Sequence, residues 1–377
     1  MEVAFWICLV GGLYSYLLYP LILCVIPERR SFRPSAPADE AYEPTVTLII
    51  ACRNEAARIR AKIENALDSE YKNLEIVVAS DCSDDGSDAI VESFAARGVR
   101  LVRSPERRGK EHVQGLALEA ARGEIVVFSD AGTQIPRGAL TQLVRQFSDP
   151  SVGAVSSEDQ FISADGSLVG EGAYVRFEMW LRKQETKRAG LVGLSGSFFA
   201  IRKSVVKSWD STIPSDFACA LNTVRARKVA ISDPLVRGVY HDIKDPSKEY
   251  QRKVRTAIRG MTALWRLREV LNPFKYGLFS FQVWSHKVMR WLTPWFLLGL
   301  LITSWALADV SPWIGALFYA QVIGYAAVAA AHWLPAIRRL LPFRIAYYFI
   351  QASVAIAVAG VQFVLGRRIT VWEPSAR

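Results

Sequence analysis

Between Val3 and Ile26 no residue carries a charge, and every fold for this chain must accommodate that run. A stretch longer than the roughly 20 residues that cross a bilayer core satisfies its backbone in lipid only as a helix, because no water is there to pair with exposed N–H and C=O groups. The same apolar surplus returns from about Trp291 to Leu365, whereas the middle is charged and ordinary in composition. Hydrophobic residues make up 51% of the 377, and their concentration at the two ends frames a globular part with membrane segments. A secretory signal is the competing reading of the first run. The start is Met-Glu with no basic region, however, and Pro20 to Ile26 offers no small-residue cleavage site, so a retained anchor is expected. Glu28, Arg29, Arg30 and Arg33 follow at once, and the positive-inside bias then puts Met1 outside and the next domain in the cytoplasm. Arg33 to Pro44, with Pro34, Pro37 and Pro44, has the composition of an extended linker.

From Val46 the hydrophobic period changes. Val46 to Ala51, Leu74 to Ser80, Val99 to Val102 and Glu124 to Ser129 are short β-branched runs, separated by the helical stretches Glu55 to Ser69, Ser87 to Arg97 and Glu111 to Arg122. Such alternation predicts an α/β fold with a mostly parallel sheet and helices packed on it. Three of these strands end in polar clusters: Arg53, Asn54 and Glu55 after the first, Asp81 after the second, and Asp130 after the fourth. In a parallel sheet these ends lie along one edge, where open α/β sheets bind ligands. No Gly-x-Gly-x-x-Gly turn follows the first strand, which argues against a nucleotide-binding dehydrogenase, and Gly109-Lys110 lacks the upstream Gly and the following Ser or Thr of a P-loop. The five cysteines form no Cys-x-x-Cys pair and have no histidine at ligand spacing, so neither zinc nor a disulfide framework is expected. A formal charge of +10 suits anionic lipid and a diphosphate substrate, and no aromatic nucleic-acid motif or zinc finger accompanies it, so no nucleic-acid partner is expected.

At these residues the sequence resembles the membrane-bound, inverting family-2 glycosyltransferases, whose nucleotide-sugar domain has the Rossmann-like GT-A fold. Val46 to Glu55 is similar to the family's opening strand with its Asn-Glu end, and Val77 to Ser87 to the second strand, whose Asp contacts the nucleotide base. The resemblance thus implies a nucleotide-sugar site at Ala51, Arg53, Glu55 and Asp81, with Lys110 of Gly109-Lys110 near the diphosphate. As residues alone, a solvated lysine at a helix start is an equally good reading of Lys110. Phe128-Ser129-Asp130-Ala131-Gly132-Thr133 stands where the family has its metal-binding Asp-x-Asp. Ser129, Asp130 and Ala131 match; the second acid is replaced by Gly132. The resemblance implies Mg2+ or Mn2+ held by Asp130, and one carboxylate can suffice when substrate phosphates complete the shell.

Further on, Val152 to Ser157 is expected to be a buried strand and Glu171 to Ala189 an amphipathic helix, on which Tyr174 to Glu178 resembles a family signature of structural character. Gly193 to Arg202 is similar to the acceptor-side strand and its glycine turn, with Gly196 and Ser197 facing the acceptor. Pro214-Ser215-Asp216-Phe217 resembles the acidic pair that carries the catalytic base at its second position, here Asp216. Without the resemblance, an acid at the start of a helix over Phe217 to Arg227 is first of all a cap. Glu249 to Thr256 lies where processive relatives have Gln-x-x-Arg-Trp; Arg255 is kept and Thr256 replaces the aromatic. Arg252 and Arg255 are expected either at the diphosphate or, with Arg259, Arg266 and Arg268, as a basic face on anionic headgroups. His241 is a candidate ligand or hydrogen-bonding group, although a lone histidine is more often structural.

Phe279 to Trp291 has the pattern of an interfacial helix, and Leu292 to Leu307, Trp313 to Trp333 and Ile345 to Leu365 are spans by length, with Arg338, Arg339 and Arg344 marking an inside loop. An odd number of C-terminal spans leaves Arg367, Arg368 and Arg377 outside, against the charge bias, so one segment is expected to be re-entrant or interfacial. The resulting organisation is an anchor over 1–27, a linker over 28–44, a cytoplasmic GT-A domain over 45–245, interfacial helices over 246–291, C-terminal membrane helices over 292–366 and a tail over 367–377. The expected activity is transfer of a sugar from a nucleotide sugar to a membrane-associated lipid or glycan acceptor at the cell membrane. A processive polysaccharide synthase is one alternative; a degenerate nucleotide-sugar-binding scaffold, motivated by Gly132 and Thr256, is another.

Overall fold

Seven strands form one sheet in the order β3-β2-β1-β4-β6-β5-β7 in the computed structural model, which describes residues 1–28, 42–162, 173–241, 246–334 and 340–370. The strands are β1 (Val46–Cys52), β2 (Leu74–Ser80), β3 (Val99–Arg103), β4 (Ile125–Asp130), β5 (Val152–Ile162), β6 (Phe198–Arg202) and β7 (Val229–His241). β3, β2, β1 and β4 pair in parallel, β6 runs antiparallel to both β4 and β5, and β5 pairs in parallel with β7. The expected parallel α/β core is therefore present, with one reversed strand in it. β5 is longer than the expected Val152 to Ser157, and β7 adds a strand the hydrophobic runs did not announce, because Asp233, Pro234, Arg237 and Gly238 interrupt its apolar pattern.

Side chains alternate across a strand, and here both faces are buried. Leu48 and Ile50 of β1 join Ile76, Val78 and Val127 in one core, closed by Ile59, Ile63 and Ala66 of the helix Ala56–Leu67. Ile49 joins Val77, Val126 and Phe128 in the other, closed by Val113 and Ala117 of the helix Lys110–Ala120 and by Cys219 and Ala220 of the helix Ser215–Arg225. Burial on both sides is why these strands are continuous apolar runs in the sequence. Phe128 stacks between Phe199 and Trp209, with ring centroids 4.9 and 5.5 Å away. Gly123 precedes β4 where the chain passes against β1: a Cβ there would lie 2.5 Å from Thr47 N and 2.7 Å from Val46 C.

The described residues divide into two compact units. The sheet belongs to Pro27–Lys244 with Thr262–Ser280 and Ile369–Arg377; the other unit comprises Met1–Ile26, Asp245–Met261 and Phe281–Arg368. In the latter, Gly11 packs against the Phe296 ring and Gly299 against Cys8, each so closely that a Cβ would fall 2.6 Å from its neighbour. This is the close helix approach expected where small residues replace the hydrophobic drive that lipid cannot supply. Among the described residues three helices are long and apolar enough to cross a membrane: Glu2–Val25, Pro312–His332 and Pro342–Val364. Leu292 to Leu307, expected as a span, is not one of them. It belongs to the helix Met289–Ala306, which carries Arg290 near its start and Pro294 inside, and the helical path from Leu278 continues into it without a break at Trp291. Arg29, Arg30 and Arg33, most of the linker, Glu171, Arg338, Arg339 and the tail from Val371 lie outside the described residues.

Candidate active site

The carboxyl ends of β1, β2 and β4 are in register: Ala51 is level with Ala79 on one side and Asp130 on the other, and Cys52 with Ser80. The three polar ends singled out in the sequence therefore share one rim. Asp130 stands there half-buried, and the Lys110 ammonium reaches its Oδ1 at 2.5 Å. The same Nζ donates to the Gly196 carbonyl at 2.9 Å. Asp130 N in turn donates to Ser197 O at 3.1 Å. That contact follows from the sheet: antiparallel β6 pairs Phe198 with Ser129, so the turn before β6 arrives beside the end of β4.

Asp216 closes the far side. It lies in the first turn of the helix Ser215–Arg225, at the positive end of the helix dipole, and its Oδ1 accepts from Phe217 N at 2.8 Å. It does not cap that helix; Pro214 holds the cap position, so the capping expectation is replaced by a carboxylate directed at the glycine turn. A Cβ on Gly196 would sit 3.0 Å from Asp216 Oδ2, close enough that glycine is the residue that gives this carboxylate room. Lys110, Asp130, Gly196, Ser197 and Asp216 thus meet at one place.

Asp81 is buried at the next strand end. Its Oδ1 accepts from Arg108 N at 2.8 Å and its Oδ2 from Gly109 N at 2.9 Å, so the carboxylate orients the turn that delivers Lys110 while each oxygen keeps a second lone pair. Arg53 donates to the Asp81 carbonyl at 3.0 Å and pairs with Asp84 at 3.2 Å. Glu55 N donates to Ser87 Oγ and Ala56 N to Asp85 Oδ2, each at 2.9 Å, which laces the ends of β1 and β2 together. Asn54 and Cys82, the residues that turn the chain out of these strands, have φ of 53° and 56°. Left-handed backbone at non-glycine residues is uncommon and concentrates at functional sites.

Other expectations fall elsewhere. Arg252 and Arg255 stand on the helix Pro246–Arg266, in a segment assigned to the other compact unit. His241 ends β7, and its side chain lies outside the described residues. Ser129 and Ala131 are both buried, which makes their side chains supports of the Asp130 turn. Sequence reasoning missed Lys62, which is buried beneath that turn. The signal was available: Ile59, Lys62, Ile63 and Ala66 form one face of an amphipathic helix, with a lysine among its core positions.

Among the described residues, no three His, Cys, Asp or Glu side chains gather at metal-ligand distances. Within the Ser129 to Thr133 turn the one carboxylate is Asp130, with Gly132 giving none. A hard cation held by a single carboxylate plus substrate phosphates fits that donor set.

Residues 47–209 match the glycosyl transferase family 2 model. A poly-beta-1,6-N-acetyl-D-glucosamine synthase of Staphylococcus aureus (strain COL) is 24% identical over 215 residues, which is 55% of this chain and 50% of the synthase. An uncharacterized protein of Mycobacterium tuberculosis (strain CDC 1551 / Oshkosh) is 31% identical over 148 residues, 39% of this chain and 46% of that one. The chain spans about half the length of the curated relatives it matches. Among solved structures, the mannosyltransferase PcManGT from Pyrobaculum calidifontis, in complex with GDP-Man and Mn2+, aligns with a TM-score of 0.73 at 23% identity, over 97% of this chain and 99% of that one. That likeness shows a shared GT-A fold. The likeness to family-2 glycosyltransferases thus spans residues 47–209, which hold β1 to β6 and the rim at Asp130.

Proposed function

We propose that the chain is an inverting glycosyltransferase that takes a sugar from a nucleoside-diphosphate sugar to a membrane-associated lipid or glycan acceptor. The observation that carries this reading is the meeting at Gly196: Lys110 bridges its carbonyl to Asp130, and Asp216 faces its α-carbon. Displacing a diphosphate from an anomeric carbon requires positive charge at the leaving oxygen and removal of a proton from the attacking hydroxyl. One rim holds a group for each. Lys110 meets the diphosphate, with Ser129, Asp130 and Ala131 forming the turn beneath it. Arg53 and the Asp81 end of β2 receive the nucleoside, with Ala51 and Glu55 shaping the floor. Arg252 and Arg255 are further diphosphate-binding candidates on the family resemblance alone.

Asp216 takes the acceptor proton, a role worth about 10²–10⁴ in rate, and Gly196 and Ser197 border the acceptor. A base on the side away from the diphosphate directs the hydroxyl to the opposite face of the sugar, which inverts the anomeric configuration. Asp130 would hold Mg2+ or Mn2+, whose charge offsets that of the departing diphosphate when bound. The three apolar helices anchor the enzyme as a multi-pass protein of the cell membrane with the sheet domain in the cytoplasm. Thr256 is exposed and non-aromatic, which favours a single transfer over chain extension.

The test is Asp216→Asn in purified, lipid-reconstituted protein. Transfer from the cognate nucleotide sugar is expected to fall by at least about a hundredfold while nucleotide affinity is kept; transfer at the wild-type rate removes Asp216 as the base.

A further inference from the structure

Lys62 lies on the face that the helix Ala56–Leu67 buries against the sheet, and it is 3% exposed. Its ammonium donates to Ser129 Oγ at 2.8 Å and to the Thr133 carbonyl at 2.6 Å. One turn further along, Asn65 exchanges two hydrogen bonds of 2.9 Å with the Ile135 backbone. Gln134, between these grips, pairs with Val239 through both its N–H and its carbonyl. The segment from Ser129 to Ile135, which contains Asp130 and Gly132, is therefore held from beneath by one charged and one neutral side chain.

Asn65 shows that a neutral amide is sufficient to fix this backbone. An ammonium in the same core costs desolvation that an amide does not. Among the described residues no carboxylate lies within ion-pairing distance of Lys62; the nearest acid it feels is Asp130 across the turn. Lys110 pairs with Asp130 directly and Lys62 grips its turn through Ser129 and Thr133, so two cationic side chains flank this one carboxylate, and Gly132 adds no second acid to the turn.

We propose that Lys62 is a positioning residue of the donor site: it shapes the Asp130 turn and supplies, from behind it, a buried positive charge for the donor diphosphate. The inference rests on the donor reading of the rim. It makes diphosphate recognition depend on a side chain that never touches the ligand.

Calorimetric titration of the full chain in lipid nanodiscs at pH 6, where Lys62 keeps its proton, with GDP and UDP as probes and guanosine and uridine as controls, tests it in Mn2+ and again in EDTA. Lys62→Met is expected to weaken the bound diphosphate by roughly tenfold to a hundredfold, the scale of one partly screened charge acting over several ångströms, and to leave the nucleoside unchanged. Asn65→Ala, which loosens the same segment without removing charge, is expected to leave the diphosphate-to-nucleoside ratio as it was. Lys62→Gln keeps a hydrogen-bonding head and serves if the methionine variant fails to fold. Equal diphosphate affinity in wild type and a folded Lys62 variant, or a parallel loss of nucleoside, overturns the inference and leaves the donor reading standing. If the wild-type chain binds neither diphosphate, the donor reading itself falls and the inference with it.

Discussion

Replacing Lys62 with methionine is expected to change stability by an amount that depends on pH. Burial lowers the Lys62 pKa from 10.5 to about 7, opposed only in part by Asp130. Between those two values the unfolded chain holds a proton that the native chain lacks, so native stability rises with pH across that window. Below about pH 7 the lysine is charged in both states and the folded protein bears the full cost of burying it. Above about 10.5 it is neutral in both, and that cost is gone. A gap of about 3.5 pKa units at about 1.36 kcal/mol each sets a ceiling of roughly 5 kcal/mol on the change. Lys62→Met has no such titration. The difference in Tm between wild type and variant, followed by intrinsic tryptophan fluorescence from pH 6 to pH 10.5, should therefore shift in favour of wild type by on the order of ten degrees, at about 2–4 °C per kcal/mol for a unit of this size. A difference that stays constant over the range would mean that the ammonium is fully solvated or compensated where it lies, and the reasoning from burial would be refuted.

Two further substitutions probe the geometry of the sheet, one at its amino edge and one at the rim. Gly123→Ala would set a methyl group 2.5 Å from Thr47 N and 2.7 Å from Val46 C, and because backbone cannot step aside, a loss of about 3 kcal/mol or more is expected; a Tm within a degree or two of wild type would show that the crossing is looser than described. Gly196→Ala would put a methyl group 3.0 Å from Asp216 Oδ2. It should lower kcat for transfer by tenfold or more, about 1.4 kcal/mol on the barrier, while GDP or UDP affinity stays near wild type, and a change in nucleotide affinity alone would contradict the assignment of this carboxylate to the acceptor side.

The parts of the fold that were legible in sequence are those where burial on both faces leaves an uninterrupted apolar run. β1, β2 and β4 stand close to where Val46 to Ala51, Leu74 to Ser80 and Glu124 to Ser129 predict them, and their polar ends fall on one rim because parallel pairing puts all carboxyl ends together. What could not be read was set by tertiary pairing. Nothing in Phe198 to Arg202 says that β6 runs against its neighbours, and the late strand β7 is broken up by Asp233 and Pro234. Without the family resemblance Asp216 reads as a cap, because an acid at a helix start commonly is one, yet Pro214 holds that position and the carboxylate turns to Gly196. Asp81 was expected at a nucleotide base, and the structure shows it holding the backbone of Arg108 and Gly109. Such hydrogen bonds to main-chain groups leave no mark in a sequence, since any residue offers the same N–H. Lys62 did leave one, a charge in the middle of an apolar helix face, and charge in that position is costly enough to warrant asking what it serves.

The single reversed strand also bears on how a protein of this kind changes over generations. β1, β2 and β4 run toward the rim, and their turns lead on to the helices that carry the chain back across the sheet, so altering one of those turns disturbs the core it feeds. β6 runs away from the rim, and the loop ahead of it enters the sheet only at Phe198, opposite Ser129. The two sides of the cleft are in this sense separately heritable. Substitutions ahead of Phe198 can remodel what approaches Asp216 while the register that aligns Ala51, Ala79 and Asp130 passes on unaltered.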